Sequence, residues 1–147
     1  VLALGALLLS PGLAAAQSVP GPAEAAARAA LGRADRIEPL VNSILARNPE
    51  AIAEARALDR MRKPRGPLFG LPILVKDNID VSGPLPTTAG SRALAANVTG
   101  RDAPIVARLR ASGAVILGKA NLSEWANFRS GDSISGWSGV GGQTRNP

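Results

Sequence analysis

Two lysines stand where a sheet protein does chemistry. Lys76 follows the apolar run Leu71-Pro72-Ile73-Leu74-Val75 and precedes Asp77-Asn78, while Lys119 closes Ala114-Val115-Ile116-Leu117-Gly118 and precedes Ala120-Asn121. Parallel α/β sheets bind ligands outside the carboxyl ends of their strands, and both amines fall there. An amine acts as a base only when it is free. A lysine with an ordinary pKa of ~10.4 is about one part in a thousand neutral at pH 7.4, so burial at the strand end would have to depress it. The bland reading of either residue is a side chain that lies along apolar surface and returns its ammonium to water. Spacing alone does not choose between the two lysines.

Few other reactive groups are available. The 147 residues contain no His, no Cys and no Tyr, which excludes, within these residues, a Ser-His-Asp triad, a thiolate nucleophile, a disulfide and a Cys/His zinc site. Gly113 to Ala120 satisfies G-x-x-x-x-G-K, but Ala120 stands where a phosphate loop needs Ser or Thr, and the intervening residues are strand formers. Ser130, Ser133, Ser135 and Ser138 lie beside Asp132 in a Gly-rich tail. Gly136-Trp137-Ser138-Gly139 brings its second glycine one place too early for a nucleophile elbow, and no His could serve it. Loop serines of this kind read as turn residues.

The elements that must position these residues can be read from the pattern. An Ala-rich stretch from Pro22 to about Ile37 predicts a helix, and Leu40 to Ala46 a short strand. Asn48-Pro49-Glu50 reads as an N-cap, a first-turn proline and a first-turn acid for a helix through about Met61. The run Leu71 to Val75 is apolar on both faces, as in a central strand of a parallel sheet. Asp102 is expected to cap a helix with Pro104 in its first turn and an Ile105, Val106, Leu109 stripe, stopped by Gly113. Ala114 to Leu117 is then a second strand, which makes strand, helix, strand a βαβ unit with parallel strands. Asn121 and Glu124 fit a capping box for a short helix to about Phe128, and Ser130 to Pro147 reads as loop.

With 46% hydrophobic, 19% charged and 3% aromatic residues, the chain is one ordinary domain at most. The net charge of +6, from 17 basic and 11 acidic residues, raises nucleic acid as a partner. Its densest cluster, Arg56, Arg60, Arg62, Lys63 and Arg65, closes a helix where cations are favoured anyway and carries no interleaved aromatic residue, so we read a solvated face and no nucleic-acid partner. Val1 to Leu9 is uncharged and apolar, Ser10-Pro11-Gly12 breaks it, and Ala14-Ala15-Ala16 resembles a cleavage site. Residues 1–16 therefore read as a secretory signal peptide without its basic n-region, well short of the ~20 residues of a bilayer span. A buried N-terminal helix is the alternative, although it would normally carry a polar face. We expect a periplasmic or secreted bacterial protein with no stable membrane anchor after cleavage. Because the chain opens on Val1 and stops at Pro147 after a Gly-rich stretch, we also expect a piece truncated at both ends.

Several blocks, in order and at fitting spacing, carry a resemblance: GPLFGLPILVKDNID (Gly66 to Asp80), TTAGS (Thr87 to Ser91), DAPIVARLRASGAVILGKANLSEWANF (Asp102 to Phe128) and GGQTRNP (Gly141 to Pro147). From about Gly66 onward the chain resembles the N-terminal part of an amidase signature enzyme. Asn121 to Pro147 is most similar to bacterial peptide amidases, which hydrolyse the C-terminal carboxamides of peptides. The resemblance implies an α/β fold with a central mixed, twisted β-sheet covered by helices. The expected organisation is a signal peptide at 1–16, an N-terminal helical arm at 17–65 and the first part of the signature domain at 66–147. It further implies a Ser-cisSer-Lys triad in which Lys76 matches the catalytic lysine and Lys119 a framework position. No metal or cofactor is expected.

In the family both serines and the oxyanion-hole loop follow the Asn-Pro that ends this chain, so none of Ser130 to Ser138 is promoted to nucleophile. By the same resemblance, Gly131, Asp132 and Ser133 border the substrate pocket. The partner implied is a small amide or a peptide amide. Two other readings remain: an amidotransferase component that works on aminoacylated tRNA, against which the signal peptide argues, and a noncatalytic exported basic protein binding anionic polymer.

Overall fold

The computed structural model describes residues 19–62, 66–128, 130–132 and 134–147. The signal segment expected at 1–16, Lys63 and Arg65 of the basic cluster, and Ser133 lie outside the described residues. Among the described residues no helix is long and apolar enough to cross a membrane.

The architecture is a three-stranded mixed sheet packed between helices. The elements are α1 (Pro22–Val41), β1 (Ile44–Arg47), α2 (Ala51–Asp59), β2 (Pro72–Lys76), α3 (Pro104–Ala111) and β3 (Val115–Ala120), followed by a small ribbon of β4 (Trp137–Ser138) and β5 (Gly142–Gln143). In the sheet the order is β1-β3-β2, with β1 antiparallel and β2 parallel to β3. The βαβ unit read from the sequence is thus present as β2, α3 and β3.

β3 is the strand covered on both faces. Val115 and Leu117 meet Ala23 and Ala27 of α1 and Ala51 and Ala55 of α2, and the small alanine side chains let the two helices lie close to the sheet. On the other face Ile116 joins Val75, Val81, Leu85 and Val106, which brings α3 down onto the sheet. Among the described residues β2 has one strand neighbour, and Leu71 and Leu74 remain 47% and 40% exposed.

Several boundaries and caps differ from expectation, each because a side chain finds a partner outside its own helix. α1 continues through Pro39 to Val41 instead of ending near Ile37, and the strand starts at Ile44 instead of Leu40. The Glu38 carboxylate accepts the N–H groups of Ser43 and Ile44, both at 2.9 Å, while Asn42 closes the helix in the left-handed region at φ 51°. Asn48 does receive the N–H of Glu50 at 3.0 Å, yet α2 begins two residues later than the pattern implied, because the Asn48 amide is also drawn to the Ile116 carbonyl at 2.8 Å. Asp102 does not cap α3. Its Oδ1 accepts Ser82 N–H at 2.7 Å, and its Oδ2 lies 3.3 Å from Arg110 Nε.

The sheet is irregular where it approaches Lys119. Between β2 and β3 the register passes from Ile73 opposite Ile116 to Leu74 opposite Gly118, leaving Leu117 as an extra residue. Such a bulge bends a strand and re-aims the side chains beyond it. Gly118 is required there by close approach: a Cβ would lie 2.2 Å from the Ala46 carbonyl oxygen.

Candidate active site

Lys76 and Ala120 are register partners at the ends of the parallel strands, so the segments that follow leave the sheet side by side. They are also bonded to one another. Ala89 N–H donates to the Asp77 carbonyl at 3.1 Å, Trp125 N–H to the Ala89 carbonyl at 2.9 Å, and Val140 N–H to the Gly90 carbonyl at 3.0 Å. Arg92 Nε donates to the Gly139 carbonyl at 2.7 Å. Gly90 makes this junction possible, since it has φ +77° and a Cβ there would meet the Ser138 Cβ at 2.7 Å.

The two lysines take opposite environments. Lys76, the last residue of β2, is exposed. Lys119 has a fully buried side chain, 3.2 Å from Asp77 Oδ1, which is itself 1% exposed. Its ammonium also donates to Thr87 Oγ1 at 2.9 Å and to the Pro86 carbonyl at 3.3 Å. Burial pushes the Lys119 amine below its usual 10.5, and the Asp77 carboxylate opposes that shift, with Asp80 adding to the opposition. The bland reading, a lysine that returns to water, fits the exposure of Lys76 and fails for Lys119.

Asp77 has no free valence. Besides Lys119 it receives Thr88 N–H at 3.1 Å and the Thr88 hydroxyl on Oδ2, its own N–H donates to the Ala120 carbonyl at 3.1 Å, and its carbonyl is taken by Ala89. Thr88 Oγ1 in turn accepts Gly90 N–H at 2.9 Å. Asp77, Thr87 and Thr88 sit inside the sequence blocks singled out above, but their mutual contacts carry no local signature.

The capping box expected at Asn121 and Glu124 does not form. Asn121 Nδ2 donates to the Gly142 carbonyl and to Thr144 Oγ1, and its Oδ1 accepts the Ser138 hydroxyl at 2.7 Å. Glu124 Oε2 accepts Gly139 N–H at 2.8 Å. Both side chains therefore hold the β4–β5 ribbon, the part of the tail that sequence reading treated as plain loop. The short turn Glu124–Asn127 is left-handed at Trp125, Ala126 and Asn127, with φ of 51°, 54° and 63°. Such a run costs about 1 kcal/mol or more per residue and persists only where surrounding bonds over-determine it.

Ser138 is 1% exposed, donates to Asn121 and accepts Gly141 N–H at 2.9 Å, which is a structural hydroxyl and not an elbow nucleophile. The phosphate-loop spacing likewise falls largely inside β3.

Asp132 lines an open depression of about 360 Å³ with Glu124, Asn127, Ser130, Ile134 and Trp137. Gly131 lies beside it, exposed, with no atom within 4 Å of where a Cβ would be. Lys76 is not among the residues that line this depression. Arg56 of the basic cluster is engaged with Glu24 at 2.8 Å. Among the described residues no three His, Cys, Asp or Glu side chains converge as a metal site.

The Amidase family model matches residues 25–147. The chain belongs to the Amidase family. The native peptide amidase of Stenotrophomonas maltophilia is 49% identical and superposes with a TM-score of 0.80 over 84% of this chain and 26% of its own. A probable amidase of Arabidopsis thaliana is 47% identical over 117 residues, 76% of this chain and 23% of that protein. A component of the glutamyl-tRNA(Gln) amidotransferase of Symbiobacterium thermophilum is 44% identical over 126 residues, 82% of this chain and 25% of that protein. The chain thus spans about a quarter of the length of the Amidase-family proteins it matches. Its mixed sheet with helical cover is that of the amidase signature fold.

Proposed function

We propose that the full-length protein hydrolyses a carboxamide, either a linear amide or the C-terminal amide of a peptide, to carboxylate and ammonia, with Lys76 as its catalytic lysine. The observation that carries this reading is the 49% identity to a peptide amidase over 84% of this chain, together with the place of Lys76 at the end of β2, where α/β sheets bind their ligands. Lys119 supports the assignment by elimination, because its three N–H donors are occupied inside the protein.

The chemistry proposed is that of a Ser-cisSer-Lys relay. Lys76 as free amine accepts the proton of a bridging serine, which accepts that of the nucleophilic serine as its oxygen attacks the amide carbon. Collapse of the tetrahedral species breaks the C–N bond, and the relay returns the proton to the departing nitrogen. Water then cleaves the acyl-enzyme by the same path. Both serines are assigned to segments other than the 147 residues of this sequence, so the 147-residue chain alone is expected to be inactive. Gly131, Asp132 and Ser133 are proposed to border the substrate pocket, which is supported for Asp132 by its place in the open depression. Export to the periplasm or medium, with cleavage after Ala16, is part of the same reading, and the N-terminal sequence of the protein recovered outside the cytoplasm tests it.

The decisive measurement is ammonia release from a peptide amide by the full-length protein and its Lys76→Ala variant. A fall in kcat of about a thousandfold or more is expected for loss of a general base that acts within a relay. Near wild-type release would overturn the assignment. Turnover by the 147-residue chain itself would mean that one of its own serines is the nucleophile.

A further inference from the structure

Lys76 and Asp77 are consecutive residues on the last rungs of β2, and they face opposite ways. Val75 is 5% exposed, Lys76 is exposed and Asp77 is 1% exposed, the alternation of a pleated strand carried one residue past its end. The backbone of Asp77 is held on both sides, its N–H by the Ala120 carbonyl and its carbonyl by Ala89. Its carboxylate is held by Lys119 below and by Thr88 beyond. Lys119 Nζ has three hydrogens and three acceptors: Asp77 Oδ1, Thr87 Oγ1 and the Pro86 carbonyl. One buried ion pair therefore joins β2, β3 and the loop 86–90, and the exposed lysine is the next residue along.

For stability alone the pair is poorly chosen. Two buried charges seldom hold a fold together better than a packed apolar pair of the same volume. What a saturated, directional pair does provide is a single geometry, because each partner has one place to be. We infer that Asp77 and Lys119, working through Thr87 and Thr88, form the positioning device that fixes the backbone of Lys76 for proton transfer. Lys119 itself exchanges no proton with the substrate. This rests on the reading of Lys76 as the catalytic lysine. A proton relay is sensitive to placement, and a shift of about 1 Å can cost on the order of a hundredfold.

The test is a steady-state kinetic cycle in the full-length protein, with a peptide amide in excess as substrate and ammonia as product: wild type, Lys119→Met, Lys76→Ala and the double variant. Lys119→Met is expected to lower kcat by about 10- to 100-fold with KM within about twofold, and to leave the residual rate of Lys76→Ala unchanged. An equal fractional loss in both backgrounds would mean that Lys119 only maintains the fold, and an unchanged kcat would likewise overturn the inference. If Lys119→Met does not accumulate as folded protein, Thr88→Val takes its place under the same criteria, since it removes the hydroxyl that Asp77 receives while keeping the shape. The two readings fail differently. Loss of activity in Lys76→Ala with full activity in Lys119→Met would overturn positioning alone, whereas full activity in Lys76→Ala with none in Lys119→Met would overturn both.

Discussion

Lys76 and Lys119 end similar apolar runs on neighbouring parallel strands, yet one is open to solvent and the other is sealed. The difference does not come from the strands' composition. It comes from position in the sheet and from one extra residue. β3 lies between β1 and β2, with α1 and α2 on one face and α3 on the other, so a lysine in it must find its partners inside the protein. The bulge at Leu117 and Gly118 precedes Lys119 directly, and the lysine beyond it faces Asp77 and Thr87. β2 has a single strand neighbour among the described residues, and the side chain at its end is exposed. Two residues of the same type at neighbouring strand ends are thus separated by burial.

The contrast between the two amines is tested most directly by removing each in turn from the full-length protein and following chemical denaturation. Lys119→Met is expected to destabilise by about 3–5 kcal/mol, because Asp77 is left as an uncompensated buried carboxylate. Lys76→Met is expected to cost less than Lys119→Met, since it strips no buried carboxylate of its counter-charge. Equal effects would dissolve the distinction. Adding Asp77→Asn to Lys119→Met is expected to recover much of the loss, which a double-mutant cycle reads as coupling.

The bulge is the next place to press. Gly118→Ala sets a Cβ 2.2 Å from a backbone oxygen that cannot rotate away. The expected cost is about 1–3 kcal/mol, as for overpacked interiors. A smaller step is Thr88→Val, expected to cost about 1–2 kcal/mol because it strips a hydrogen bond from a buried carboxylate. Unaltered denaturation midpoints in either variant would show that the strand ends tolerate more slack than the bonding implies.

The smallest effect lies away from the strand ends, on the α1–α2 side, where charge pairing is partly solvated. The Arg56 hydrogen bond holds the Glu24 carboxyl below its usual 4.5, burial opposes that, and Arg28 adds to the lowering. A carboxyl whose folded pKa is depressed contributes stability that is present above 4.5 and lost as pH falls through the lowered value. Glu24→Gln is therefore expected to flatten the acid limb of a stability-versus-pH curve and to leave the alkaline side unchanged. Lys119 should make no contribution in that acid range.

Local chemistry made much of the fold legible. The parallel pair of strands with a helix between them followed from two apolar runs separated by a proline-started, glycine-stopped stripe, and the structure has it as β2, α3 and β3. Caps were legible only where the partner is near in sequence. Asn48 receives Glu50 N–H as its spacing suggests, but Asp102, Asn121 and Glu124, which have equally good cap spacing, are claimed by Ser82, Ser138 and Gly139. A carboxylate or amide serves whichever donor folding brings to it, and at the loop ends those donors come from 15 to 20 residues away.

Residue types and their spacing were enough to give the main strands and helices in order, the absence of thiolate and imidazole chemistry within these residues, the two candidate amines and, through the sequence blocks, the family to which the chain belongs. Only the tertiary structure decided which amine is sealed, which cap residues became ribbon anchors, and that Asp77 is bound on every polar atom. The physical reason is range. Periodicity and capping act over a turn or a strand, whereas the burial of Lys119 requires β2, β3 and the loop at Pro86 and Thr87, more than thirty residues away, to meet at one place.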